Sequence, residues 1–240
     1  MSTRTDFTVA MGADEWVVCA LEEPAEPWCL VLICHGLTGD MFGPGGIQRD
    51  LAATLVADGA AVVRLETRGA GDASRSADHP VMSSMVEDIG AVLDAAPLRH
   101  LRRLPLVLCG MSLGALAVAE AARGLESARG VVSISSDLAD GDRRPWPVNW
   151  SRAAEHALPG AFMADLAGFR PRGALLARRV PVAVVVGGQD RGAETVPELR
   201  AEGVEVDLVP GADHLFRDAA ARARLFRSVS ARVRQFAARD

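Results

Sequence analysis

Residues 105–114 read Pro-Leu-Val-Leu-Cys-Gly-Met-Ser-Leu-Gly, a short apolar run that ends on Gly110-Met111-Ser112-Leu113-Gly114. The apolar part has the length and composition of a strand buried on both faces, and from Leu113 onward the apolar residues recur at helical spacing. A strand that turns at once into a helix brings neighbouring backbone close, and glycine on either flank removes the side chains that would collide. Ser112 alone projects from such a turn, which makes it the candidate nucleophile. For the motif taken alone, a helix-capping serine in a glycine-rich turn is the alternative.

Working outward, similar apolar runs occupy 28–34 (WCLVLIC), 60–66, 130–135, 180–187 and 203–209, with two strand-like stretches before them at 6–10 and 15–21. Helical periodicity fills the intervals at 46–58, 81–95, 113–123, 194–201 and 215–238. This alternation predicts an α/β domain with a mostly parallel sheet of about eight strands flanked by helices. Residues 137–175 break the pattern with Pro, Trp and Arg, and are read as an insertion or lid. An ordinary crossover helix with long loops is the alternative. The whole chain, 1–240, is expected to be one domain.

Composition bounds the function. With 240 residues and 49% hydrophobic content the chain can bury a full core without disulfides. Its 31 acids exceed its 26 bases, for a net charge of −5, and no basic cluster offers a face to nucleic acid. Neither a secretory signal nor an apolar run of about 20 residues is present, so a soluble cytoplasmic protein with no membrane partner is expected. Cys19, Cys29, Cys34 and Cys109 lie in strand-like runs without CxxC spacing, which predicts buried reduced thiols and no metal site.

A serine hydroxyl at neutral pH needs a base within reach and a third group to hold that base. Asp190 follows the strand PVAVVVGG, and His214 follows the last strand and precedes the C-terminal helix. Each has a plain alternative: a turn-forming aspartate for Asp190, and for His214 a residue of a helix N-terminus capped by Asp213. Three strand ends carrying Ser, Asp and His in that order favour the catalytic assignment, with Asp137 as the rival acid. His79, His100 and His156 precede or sit within helical or insertion segments and make poorer bases. The loop His35-Gly36-Leu37-Thr38-Gly39 leaves the strand 28–34 and suits an oxyanion loop, with the N–H groups of Leu37 and Leu113 as donors and His35 as a buried brace. Arg68-Gly69-Ala70-Gly71 lacks the spacing and the lysine of a phosphate-binding loop.

These residues, His35-Gly36, Arg68-Gly69-x-Gly71-x-x-Ser74, Gly110-x-Ser112-x-Gly114, Asp190 and His214, resemble the α/β-hydrolase superfamily over nearly the whole chain. The arginine loop departs from the family in placing Asp72-Ala73-Ser74 after its second glycine, where the serine commonly comes one residue sooner. The run from HGLTGD to RGAGDAS is also similar to short-chain acyl and cinnamoyl esterases. The resemblance implies Ser112 as nucleophile, Asp190 as acid and His214 as base in a two-step acyl transfer, with no cofactor and a small-molecule acyl substrate, free or carrier-bound. Met41, Phe42, Trp146, Trp150, Phe162 and Met163 are candidates for an apolar acyl pocket, with packing of the insertion as the alternative. Arg143 and Arg144 are candidates for an anionic group, or else solvated. Hydrolysis of an ester or thioester is the expected reaction. An acyltransferase or cyclase would use the same three residues, and a non-catalytic binding protein could share the fold.

Overall fold

The computed structural model describes residues 2–75, 81–136, 138, 160–178 and 180–239. Eight strands form one sheet: β1 (Ser2–Ala10), β2 (Trp16–Pro24), β3 (Leu30–Cys34), β4 (Ala61–Glu66), β5 (Leu106–Met111), β6 (Ala128–Ile134), β7 (Val182–Gly187) and β8 (Glu205–Val209). Their order is β1-β2-β4-β3-β5-β6-β7-β8. β2 runs antiparallel to both its neighbours and every other pairing is parallel. The helices are α1 (Ile47–Ala57), α2 (Met82–Asp94), α3 (Leu113–Ala122), α4 (Gly160–Gly168), α5 (Pro171–Arg178), α6 (Val196–Ala201) and α7 (Ala219–Ala237).

The continuous apolar strands have the cause inferred from their composition: β3, β5 and β7 are buried along their full length because helices cover both faces. Successive side chains point to opposite faces, and the core divides accordingly. Leu30, Leu32 and Cys34 join one cluster with α2 and α3, whereas Val31 and Ile33 join the other with α1 and α7. All four cysteines are free and buried. Burial pushes the thiol of Cys29 up to about 12 and raises the other three as well, so none ionises at neutral pH.

Part of the segment 137–175 is resolved into helices. Phe162, Leu166 and Leu175 of α4 and α5 belong to the core cluster shared with α2 and α3. This half therefore follows the crossover alternative, while 139–159 lies outside the described residues. The C-terminal helix begins at Ala219, four residues later than its apolar pattern predicts. Asp218 is its N-cap, accepting from the Ala221 N–H at 2.9 Å, and Phe216 sits at φ 49° before it. β1 begins at Ser2, because pairing with β2 extends it beyond the apolar residues that reveal it in sequence. The predicted helix 194–201 is a 3₁₀ turn over Arg191–Thr195 followed by α6.

Both sheet edges carry charge. Arg4 pairs with Asp6 on β1, and on β8 Glu205 and Asp207 both meet Arg232 of α7. No helix among the described residues is long and apolar enough to cross a membrane, and none of their His, Cys, Asp and Glu side chains form a group that could hold a metal ion.

The loop after β4 is fixed by a buried ion cluster. Arg68 donates through Nε to Asp88 at 2.7 Å and reaches Glu15 at 2.8 Å and Glu87 at 2.9 Å. Burial works against its charge, but these carboxylates outweigh burial and raise its pKa. Asp88 is fully buried in α2 and also accepts the Arg68 backbone N–H at 2.8 Å. Arg68→Met should therefore destabilise the fold by about 3–5 kcal/mol, since it strands a buried carboxylate whose main countercharge is gone. Urea titration at pH 7 measures this; a loss below about 1 kcal/mol would show that the cluster does not hold the loop.

Candidate active site

Ser112 sits between β5 and α3 at φ 54° and ψ −116°, a conformation that costs a non-glycine residue about 1–3 kcal/mol. The neighbours explain how it is held. A Cβ on Gly110 would collide with the backbone of Gly114 and Ala115, and one on Gly114 would collide with the carbonyls of Cys34 and His35. The Ser112 N–H donates to the Ile134 carbonyl at 2.8 Å, fastening the turn to β6.

Asp190 follows β7 and His214 follows β8, on neighbouring parallel strands. The two loops are stitched together: Gly188 N–H donates to Val209 O at 2.8 Å and Gln189 N–H to Ala212 O at 2.9 Å. A side chain at Gly187 would strike the Ala212 carbonyl. Asp190 Oδ2 accepts from His214 Nδ1–H at 2.8 Å, and Oδ1 accepts from the Gly192 N–H at 3.2 Å. With Nδ1 protonated, Nε2 is the acceptor and stands 3.2 Å from Ser112 Oγ. The structure thus brings the three predicted residues into one hydrogen-bonded line.

Asp213 does not join it. Its carboxylate accepts from the Arg217 N–H at 3.0 Å and pairs with the Arg217 guanidinium at 2.6 Å, and the backbone hydrogen bond from Arg217 leads the lowering of its pKa. Nor is Asp213 the cap of α7, a role taken by Asp218. Asp137, like His79 and His156, lies outside the described residues. His100 is on the surface, paired with Glu23.

The loop after β3 passes directly over the serine, because β3 and β5 are neighbours at the point where the strand order reverses. A Cβ on Gly36 would lie 3.3 Å from Ser112 Cβ, so only glycine allows this approach without the loop giving way. Leu37 follows at once, and Leu113 opens α3, where first-turn N–H groups have no partner within the helix. His35 is buried; its Nδ1–H donates to Gly36 O at 2.7 Å and its Nε2 accepts from the Thr67 N–H at 3.2 Å. The second bond requires the neutral ring, and burial lowers the pKa of His35.

The candidate pocket residues are dispersed. Met41 is buried, its N–H facing Glu66 Oε1 at 3.4 Å and its carbonyl accepting from Arg64 Nη1 at 2.8 Å. Phe42 is 39% exposed, with the Arg64 guanidinium 5.7 Å from its ring centre. Phe162 is fully buried, Met163 lies on α4, and Trp146, Trp150, Arg143 and Arg144 fall outside the described residues. Arg64 and Glu66, not among the candidates from sequence, fasten the Met41 segment. Their signal is a pair of charges inside an otherwise apolar strand, AVVRLE.

The sheet order, with a serine elbow after β5, defines an α/β hydrolase. The chain belongs to the serine aminopeptidase (S33) family of hydrolases, whose model matches residues 25–171. No curated protein matches the sequence. Among solved structures, ferulic-acid-bound Est1E from Butyrivibrio proteoclasticus is similar at TM-score 0.81 and 19% identity, covering 97% of this chain and 100% of that one. The mouse alpha/beta hydrolase domain-containing protein 10 is similar at TM-score 0.71 and 16% identity, covering 96% and 99%. The dienelactone hydrolase of Anabaena variabilis gives 0.70 and 18%, covering 98% of each chain.

The neutral His35 has a consequence for acid stability. Its folded pKa lies below the ordinary value of 6.5, so the unfolded chain binds the proton first. The contribution of His35 is complete above pH 6.5 and is lost as pH falls below that value toward the folded pKa. His35→Gln, which cannot ionise, should flatten the fall in melting temperature between pH 7 and pH 5. Parallel curves for wild type and variant would remove His35 as the source.

Proposed function

We propose that the protein hydrolyses small carboxylic esters or thioesters through an acyl-enzyme, with Ser112 as nucleophile, His214 as base and Asp190 as the acid that orients it. The observation that carries this reading is the line Asp190 Oδ2 to His214 Nδ1 at 2.8 Å and His214 Nε2 to Ser112 Oγ at 3.2 Å. His214 takes the serine proton as Oγ attacks the carbonyl carbon, and the C=O π pair moves onto oxygen. That oxyanion forms between the N–H groups of Leu37 and Leu113. The imidazolium then gives its proton to the departing alcohol or thiol, and water, deprotonated by the same ring, releases the acid and restores the serine. Asp190 keeps its own charge throughout and stabilises the imidazolium.

Among the described candidate acyl contacts, Phe42 is exposed, on a segment anchored by Arg64 and Glu66. A free acyl substrate in the cytoplasm is the reading we adopt, with a carrier-bound one differing only in its leaving group.

Ser112→Ala should abolish both labelling by a fluorophosphonate and turnover of p-nitrophenyl esters, with the melting temperature unchanged. Asp190→Asn should lower kcat by about 10⁴-fold, because the amide favours the wrong tautomer of His214. Asp213→Asn should leave kcat within a few-fold of wild type. Activity surviving in Ser112→Ala, or an Asp213 variant that is the more damaged of the two, overturns the assignment.

Substrate choice is tested separately. Phe42→Ala should cut the preference for aromatic or long acyl groups over acetyl by about 1–3 kcal/mol in kcat/KM. Phe162→Ala should cost about 3–5 kcal/mol of stability and lower all substrates alike. An unchanged ranking in Phe42→Ala refutes its role as an acyl contact.

A further inference from the structure

We infer that Ser135 is a positioning residue for His214, an inference that rests on the catalytic roles proposed above. Ser135 is the residue immediately after β6, and it is buried. Its hydroxyl donates to the backbone carbonyl of His214 at 2.7 Å, across 79 positions of sequence. Its own N–H donates to Val185 O of β7, the strand that leads to Asp190, at 3.0 Å. The residue before it, Ile134, accepts the N–H of Ser112 at 2.8 Å. Two consecutive residues at the end of one strand therefore grip the nucleophile, the base and the strand that delivers the acid.

Of these three links only the Ser135 hydroxyl is a side chain, and it acts on the base. The Ser112 turn is fixed by glycine packing and Asp190 by the hydrogen bond from Gly192, whereas the His214 side chain is 45% exposed. His214 Nδ1 is held by Asp190 and its carbonyl by Ser135. One contact sets the rotation of the ring and the other sets the height of the backbone from which the ring hangs.

The backbone of Ser135 bears on the same point. It adopts φ 54°, as do Ser112 at 54°, Thr38 at 56° and Phe216 at 49°, each in or beside a loop of the site. A serine in that region is strained where glycine would not be, and strain held at a site signals a side chain that is needed there. Glycine at 135 would relieve the backbone and delete the hydroxyl. That substitution separates the two roles.

Ser135→Gly should keep the wild-type melting temperature or raise it, and lower kcat by about 10- to 100-fold with KM for a p-nitrophenyl ester little changed, the scale of loss when a reacting group is misplaced by about 1 Å. The fluorophosphonate labelling rate should fall by the same factor, because labelling needs the base but not the acyl pocket. Ser135→Ala should lose as much activity and also lose stability. A reaction-independent readout is the low-field proton on His214 Nδ1, expected as a sharp resonance in wild type and exchange-broadened in Ser135→Gly. A glycine variant with wild-type kcat, labelling rate and resonance overturns the inference. If wild type itself is not labelled, the hydrolytic reading falls, and the Nδ1 resonance still decides whether Ser135 positions the ring.

Discussion

Ser112 can hold φ 54° and ψ −116° only where the backbone around it is bare, and Gly110, Gly114 and Gly36 provide that. Everything else in the site is arranged around this one turn. The loop after β3 can lie against the serine because Gly36 lacks a Cβ, and α3 can start beneath the same loop because Gly114 lacks one. A methyl group on Gly110 or Gly114 would press on backbone atoms that cannot move without shifting a strand. The constraint is steric and local, yet it sets how closely the loop after β3 and the start of α3 approach Ser112.

The sheet then delivers the partners. Parallel strands end at a common edge, and β5, β6, β7 and β8 are consecutive there, so Ser112, Ser135, Asp190 and His214 leave the sheet side by side although the sequence scatters them. Neighbouring strands are roughly 4.8 Å apart, so Asp190 and His214 leave the sheet one strand spacing apart, and the loop after β8 carries the His214 ring back to the Ser112 turn at the end of β5. Buried charge serves the same edge. Arg68 with Asp88 fastens the loop after β4, and Arg64 reaches from β4 to the Met41 carbonyl in the loop after β3.

Much of this was legible from the residues. Ser112, Asp190 and His214 could be grouped because each follows an apolar run and the three come in the order Ser, Asp, His, although Asp190 taken alone reads as readily as a turn aspartate. Ser135 could not. It stands in Ser133-Ile134-Ser135-Ser136, where nothing in the letters separates one serine from another, and its meaning depends on a positive φ and a partner far away in sequence. The late start of α7 was hidden for a similar reason: Leu215 and Phe216 look like helical residues until Asp218 is seen capping Ala221. The polar half of β1 had no pattern of its own, since its pairing with β2 rather than its burial makes it a strand. Within 137–175 the composition left an insertion and a crossover helix both open. The Pro, Trp and Arg there break the alternation without marking which apolar residues dock, and in the described part Phe162, Leu166 and Leu175 pack with α2 and α3.

The charged sheet edges bear on how many such molecules can share a solution. An open edge strand is a template on which another chain can add, and an eight-stranded sheet has two of them. On β8 the side chains facing α7 include Glu205 and Asp207, both clasped by Arg232, so an incoming strand would have to set its own side chains beside carboxylates already committed to a partner. On β1 the Arg4–Asp6 pair occupies the corresponding outer strand. Like charges brought into cross-strand register repel one another. Charged side chains on both outer strands are a feature that disfavours strand-by-strand addition of one copy to the next.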